Sequence, residues 1–483
     1  MEHVDHRLGM FALSRACTAC LLIVLAAAPA AAQAPAPPAP TVRKPAGSPT
    51  PKPSVTESAT RAKTEARRTV ELPGPSDAPR VVQVANSTAR APADYKSAHF
   101  EIHTDLAPKE ARDLLGRLEA MLELVSKYWG QPLKGTIECY VVRDLNNWPA
   151  DALDPVGRAK VAQDAGITLV ETLNLGNEVV SAKAVVYAAA GRGTPQHEAV
   201  HAYCGQTFGR VGPLWYSEGM AELGNYWRAN DSSVQCPDYV IQHLRRGQPK
   251  PLRMILGEEI DRPGKPAAAT GDSWENYAWR WALCHFLEHN PNYSSRFRPL
   301  GLSFLNDLPV NFGDVYGPVL RELAFEYRFF VTHVERGYRV DLCRWVWDSD
   351  FQEPSDGPIS VRVAARRGWQ PSGALVSADQ SYHYSAGGAW RLRADGANLT
   401  ADGARDGAGR LEAIVLSNYR LSEPFPLGAQ GTFTPPADGE LYLRCHDEWH
   451  ELTDNKGAMN VKIKSADQGP AVPRPTARAA RTR

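Results

Sequence analysis

The chain carries no excess of charge: 54 Lys and Arg stand against 54 Asp and Glu in 483 residues. That balance denies it the basic field with which a nucleic-acid binder attracts phosphates, so no nucleic-acid partner is expected. Close cysteine pairs are also missing. Past the first 20 residues, Cys139, Cys204, Cys236, Cys284, Cys343 and Cys445 stand far apart, which excludes a zinc site built from paired thiolates. An even number of cysteines permits disulfides in an exported chain, but spacing does not give their connectivity and none is assigned. No internal repeat occurs. Beyond the N-terminus no run is apolar enough to cross a bilayer.

What is present begins with an export signal. Arg7 and Arg15 precede an apolar run over residues 16–28, and Ala32, Gln33 and Ala34 follow as a small-residue cleavage site. That order is a secretory signal peptide. Residues 1–34 are therefore expected to be removed. The mature chain is expected to be secreted or to lie in the periplasm or cell envelope, without a transmembrane helix. No cysteine stands where a lipoprotein signal needs one. Residues 35–93 are mostly Pro, Ala, Thr, Ser, Lys and Arg. Too few large apolar side chains occur there to offset the entropy of ordering, so the segment reads as a disordered linker. Residues 465–483 have the same character and read as a basic, solvated tail.

Between these ends the chain reads as α+β. Phe100 and Ile102 alternate with Glu101 and His103, a half-buried strand. Pro108 opens a helix whose apolar stripe runs through Leu114, Leu115, Leu118, Met121, Leu122, Val125 and Tyr128, and Gly130 stops it. Residues 137–142 and 179–187 read as two further strands, and 194 to about 347 as mostly helical. From residue 359 short β segments alternate with Gly, Asp and Pro turns as far as 463, which predicts an all-β sandwich. The expected domains are 94–350 and 358–464.

From Thr194 the sequence reads Thr-Pro-Gln-His197-Glu198-Ala-Val-His201. Thr194 as N-cap and Pro195 in the first turn predict a helix. Histidines at i and i+4 then share one face, one turn apart, where they can hold one ion. Glu198, beside the first histidine, can reach water at that ion without ligating it. Downstream, Gly212 and Pro213 lead into Leu214-Trp-Tyr-Ser-Glu218-Gly-Met-Ala-Glu222. A catalytic zinc site takes three protein ligands and keeps a fourth position open. Glu218, brought back by a second helix, supplies the third ligand. Glu222 has two readings: the acceptor that fixes the tautomer of a ligating histidine, or a plain surface carboxylate. His285 and His289 are also at i and i+4, but no Glu follows His285, and they read as structural or exposed.

His-Glu-x-x-His followed by Trp-x-x-Glu-Gly-x-Ala-Glu resembles the gluzincin metallopeptidases, above all the bacterial peptidase MA-like proteins. The segment His99-Phe-Glu-Ile-His-Thr-Asp-Leu before a long helix is similar to a bacterial domain-of-unknown-function group of that clan. The resemblance covers residues 95–350. It implies a zincin fold, Zn2+ on His197, His201 and Glu218, Glu198 as general base, and a peptide or protein as substrate. By the same resemblance, residues 179–187 form the sheet edge on which a peptide lies. Tyr277 would donate a hydrogen bond to the transition state. Read by itself, Tyr277 also fits an aromatic core face with Trp281.

The C-terminal segment has its own pattern. A strand runs to Asp447, an acidic turn follows, and Asp454-Asn455-Lys-Gly457 leads into a last strand. Upstream, Gly409-Arg-Leu-Glu-Ala-Ile-Val-Leu and Leu427-Gly-x-x-Gly-x-Phe fit the same arrangement. The whole, about residues 359–464, resembles the calcium-dependent galactose-binding lectin of the PA-IL type. It implies Ca2+ on Asp447, Glu451, Asp454 and Asn455, and a carbohydrate partner. It departs at Glu451, where that lectin uses a backbone oxygen, and in having no matching Tyr ligand. A solvated acidic turn is the other reading of the loop. Three accounts of the chain follow: a secreted zinc peptidase with an accessory β domain, a non-catalytic surface or adhesion protein on a zincin scaffold with a carbohydrate-binding module, or a zinc hydrolase acting on a non-peptide amide, which only substrate profiling separates from the first. An intact Glu198 favours the first, because a scaffold needs no base.

Overall fold

The computed structural model describes residues 19–24, 90–175, 178–191, 193–257 and 274–466. Of the expected signal peptide only residues 19–24 fall within these ranges. The rest of it, linker residues 35–89 and tail residues 467–483 lie outside them. The described residues form a mixed α+β structure of helices and three sheets.

The first sheet contains β1 (Ala19–Val24), β2 (Ala93–Lys96), β3 (Phe100–Thr104), β4 (Ile137–Val142), β5 (Gly166–Leu175) and β6 (Glu178–Ala189), in the order β1-β5-β6-β4-β3-β2. Strands β3, β4 and β6 are parallel. The other three are each antiparallel to a neighbour. Parallel neighbours require a crossover, and α1 (Pro108–Trp129) supplies it between β3 and β4. Its buried stripe of Leu114, Leu118, Met121 and Val125 shares one core with Phe100, Ile102, Ile137 and Val141. Gly130 ends the helix at φ +75°, a conformation glycine adopts at little cost. On the other face Trp148, Leu153 and Val161, the last on α2 (Pro155–Val161), pack with Ile167 and Tyr187.

This sheet corrects two expectations. The strand at residues 179–187 lies within β6, which runs between β5 and β4 and is not an edge. Its antiparallel neighbour β5 is missing from the sequence reading altogether. The buried face of β5 carries Thr168 and Thr172 beside Val170, so its alternation reads inside out.

The helices that follow are α3 (Thr194–Phe208), α4 (Leu214–Tyr226), α5 (Asp238–Arg245), α6 (Leu252–Leu256), α7 (Trp274–His289), α8 (Ser294–Leu305), α9 (Phe312–Tyr316) and α10 (Leu320–His333). Helices α4 and α7 approach so closely that a Cβ on Gly219 would collide with Cys284 Sγ and the Arg280 carbonyl. Helix α10 stops at His333, although the apolar pattern continues to Trp347. Residues beyond it form an irregular strap that buries Val334, Tyr338, Val340 and Trp345 without a helical ladder. The buried Glu326 of α10 anchors it, accepting hydrogen bonds from Trp345 N (3.1 Å), Trp347 Nε1 (2.6 Å), Asn290 Nδ2 (2.8 Å), Asn292 Nδ2 (2.7 Å) and Tyr293 Oη (2.7 Å). Five donors are what a buried carboxylate needs in place of water.

The C-terminal strands are β7 (Ile359–Ala364), β8 (Gln370–Val376), β9 (Tyr382–Arg391), β10 (Leu411–Ser417), β11 (Arg420–Leu421), β12 (Phe425–Pro426), β13 (Gln430–Phe433), β14 (Gly439–Cys445) and β15 (Lys456–Ser465). They pair antiparallel in two sheets, β11-β10-β14-β8 with β12 also on β10, and β13-β9-β15-β7. Trp390, Leu411, Leu441, Met459 and Val461 share one buried cluster. An aromatic cluster of Phe329, Trp345, Trp369 and Tyr442 joins these strands to α10. All six cysteines named above are buried free thiols. No helix among the described residues is long and apolar enough to cross a membrane.

Candidate metal centre

Gly193 turns the chain into α3 at φ +77°, so the helix begins at Thr194. Thr194 is therefore its first residue and Pro195 its second, one step on from the cap assignment made from sequence. A Cβ on Gly193 would collide with Asn225 of α4, so this glycine also lets the two helices close.

The closure brings three ligand atoms together. His197 Nε2 lies 3.2 Å from His201 Nε2 and 3.2 Å from Glu218 Oε2, and His201 Nε2 lies 3.6 Å from Glu218 Oε2. Their relative exposures are 6, 2 and 1 %. A tetrahedral zinc with bonds of about 2.0–2.1 Å separates its ligands by about 3.3–3.4 Å, so the triangle fits that ion. The outer ring nitrogens are held as well. His197 Nδ1 is 3.0 Å from Glu222 Oε1, and His201 Nδ1 is 3.1 Å from Ser217 Oγ. Such partners fix the orientation and tautomer of ligating imidazoles.

The electrostatics favour a cation at the same point. Burial pushes Glu218 up, but His201 and His197 outweigh it and hold the carboxyl well below the usual range. Burial lowers His197, yet Glu218 and Glu222 raise it well above an ordinary histidine. The carboxylates thus draw positive charge to the triangle, which a proton or a divalent ion could supply.

Glu198 stands beside the ligands, nearly fully buried. Its Oε2 is 2.9 Å from the Thr168 hydroxyl of β5. Burial raises Glu198, against the pull of His197 and His201. Gly166, the first residue of β5, leaves room for it: a Cβ there would come within 2.6 Å of Glu198 Cγ. The half-buried Tyr277 of α7 lies with its ring centroid 5.7 Å from that of His197. Sequence reading missed Thr168 and Ser217. Ser217 adjoins Glu218 in the chain, a signal that was available; Thr168 acquires its role only when β5 packs on α3.

In the C-terminal loop the structure joins Asp447 to Asn455. Asp447 Oδ2 accepts from Asn455 Nδ2 at 2.8 Å, and Oδ1 from the Glu448 amide at 2.9 Å. Asn455 is buried, and its Oδ1 has no hydrogen-bond partner. Glu451 and Asp454 are exposed and do not converge with Asp447 in any group of three acidic, histidine or cysteine side chains among the described residues. Another convergence, Glu335 with Glu448 and His450, is already compensated: Glu335 pairs with Arg245 at 2.5 Å and with His450 at 2.6 Å.

No protein-family model matches the chain, and no curated protein does. Among solved structures it is similar to the N-terminal domain of EclA, a PllA-like lectin, at 25% identity over 22% of this chain and 94% of that one, with a TM-score of 0.19. A likeness at that TM-score carries no argument, and the site is read from its own geometry.

Proposed function

We propose that the protein is a secreted zinc-dependent peptidase with a zincin-like domain over residues 94–350. The observation that carries this reading is the buried triangle of His197 Nε2, His201 Nε2 and Glu218 Oε2 with Glu198 beside it. Zinc, if held by His197, His201 and Glu218, would supply Lewis acidity for a carbonyl and lower the pKa of water. Glu198 takes the proton as water attacks the peptide carbonyl and delivers it to the leaving amine. Thr168 and Gly166 fix the position of that carboxylate; Glu222 and Ser217 fix the imidazoles. Tyr277 offers a phenol near His197 for the developing oxyanion. The extended peptide adds along β5, not β6. In the structure residues 19–24 pair with the outer side of β5, so removal of the signal peptide frees that edge.

The test is hydrolysis of a broad peptide library by the mature chain and by Glu198→Gln. The expected result is cleavage by the native chain and a loss of about 10²–10⁴-fold in the variant, with zinc content unchanged. A chain that holds zinc and cleaves nothing would favour the adhesion-protein reading.

One observation supports a second role for the β strands, read as a two-sheet sandwich. A buried amide oxygen without a donor is costly, and Asn455 Oδ1 is such an atom, on the side chain whose Nδ2 donates to the Asp447 carboxylate. Ca2+ on Asp447 and Asn455 relieves that cost and gives a carbohydrate its anchor. Calcium titration of the full chain should give heat that Asp447→Asn abolishes. No heat in the native chain would leave the loop a plain turn.

A further inference from the structure

On the Nδ1 side of His197, helices α4, α5 and α7 enclose a cavity of about 30 Å³. Its lining includes Glu222, Tyr226, Tyr239, Trp274, Tyr277 and Trp281. Two edge-to-face pairs hold the rings, Tyr239 with Trp274 at 5.4 Å and Tyr226 with Trp281 at 5.8 Å. The charged group in the lining is Glu222. Its Oε1 holds His197 Nδ1 at 3.0 Å, while Oε2 is buried, with the Tyr226 hydroxyl as its neighbouring donor. The Tyr226 phenol faces the same carboxylate, and burial together with that charge keeps it un-ionised. No Lys or Arg among the described residues lines the space; Arg280 lies 5.7 Å from the Tyr277 ring, outside it.

Aromatic faces carry negative potential, and rings grouped round a carboxylate attract a cation. The space is large enough for a group of at least the size of one water. A primary ammonium, the smallest cation that a peptide offers, fits that space. We infer that this cavity is a subsite for a primary ammonium group of the substrate, an N-terminus or a lysine side chain, close to the bond that is cut. As a subsite it rests on the peptidase reading; as an ammonium site it does not.

The experiment keeps the two apart. The full zinc-loaded chain is titrated calorimetrically with n-butylammonium chloride and, in parallel, with n-butanol. Saturable binding of the ammonium and none of the alcohol is expected, with binding about tenfold weaker in a Tyr239→Leu variant that keeps its zinc. Equal binding of the two probes, no binding of either, or an unaffected variant overturns the inference. The comparison of probes on the native chain holds even where the variant fails to fold. Matched peptides then locate the source. Replacing one lysine by norleucine, or acetylating the N-terminus, should lower kcat/KM about tenfold, and whichever does so names the ammonium that binds. Peptides that are cut equally well in all forms overturn the subsite. A chain that binds the ammonium but cuts nothing contradicts the peptidase reading and not the cavity's chemistry.

Discussion

The Thr168 hydroxyl lies 2.9 Å from the Glu198 carboxylate and 2.8 Å from the Glu198 carbonyl oxygen, so one residue of β5 steadies both the helix and the proposed base. Thr168→Val keeps the shape and removes the donor. Burial already raises Glu198, and the Thr168 hydrogen bond is among the influences that lower it. Its loss raises Glu198 further. Since the base must be ionised to accept a proton, the acid limb of the pH–rate profile should move to higher pH, and kcat should fall about tenfold or more. Thr168→Ser should restore both. An unchanged profile in Thr168→Val would show that the hydroxyl does not act on the base.

Gly166→Ala tests space instead of charge. The added methyl would press on Glu198 Cγ and Oε1 and on Thr194 Cγ2. Displacing a catalytic group by about 1 Å costs on the order of 10²-fold. We expect kcat to fall by that order while zinc content stays the same; full activity would contradict the packing.

The residues of the triangle were legible because their spacing is local. His197, Glu198 and His201 lie within one helical turn or so, and Glu218 and Glu222 are one turn apart on the next helix. The supporting strand was not. Thr168 and Thr172 look solvent-facing by type, yet both are buried, because α3 covers that face of β5. Strand order was equally hidden: β6 becomes interior only through parallel pairing with β4, in which Glu138 lies opposite Val185, a separation that local pattern cannot reach. The end of α10 was misread for a related reason. Val334, Tyr338 and Trp345 are apolar enough for a helix, but the strap is fixed by Glu326 at long range. In the acidic loop after β14, the lectin resemblance implied four converging ligands; the turn brings Asp447 and Asn455 together and leaves Glu451 and Asp454 apart.

Glu222→Ala removes the acceptor at 3.0 Å from His197 Nδ1. Outer partners of this kind typically contribute about 10–100-fold to metal affinity. Zinc affinity measured by chelator competition should fall within that range. Unchanged affinity would return Glu222 to the role of a plain carboxylate.

Stability should carry the signature of Glu288. Burial pushes this carboxyl up to about 7 from an ordinary 4.5, against the pull of Tyr128 and Arg298. The folded state therefore holds the proton more firmly than the unfolded state. That contribution is fully present below pH 4.5 and is lost as pH rises through 7. Glu288→Gln cannot ionise. By chemical denaturation it should exceed the native chain by about 2–3 kcal/mol at pH 8 and lose that advantage near pH 4.5. A pH-independent difference would contradict the assignment.

The most direct test of the central claim is the zinc content of the purified mature chain beside that of His201→Ala. The triangle of His197, His201 and Glu218 predicts about one zinc per chain, lost in the variant. No zinc in either form after reconstitution, or equal zinc in both, would contradict the site and with it the peptidase.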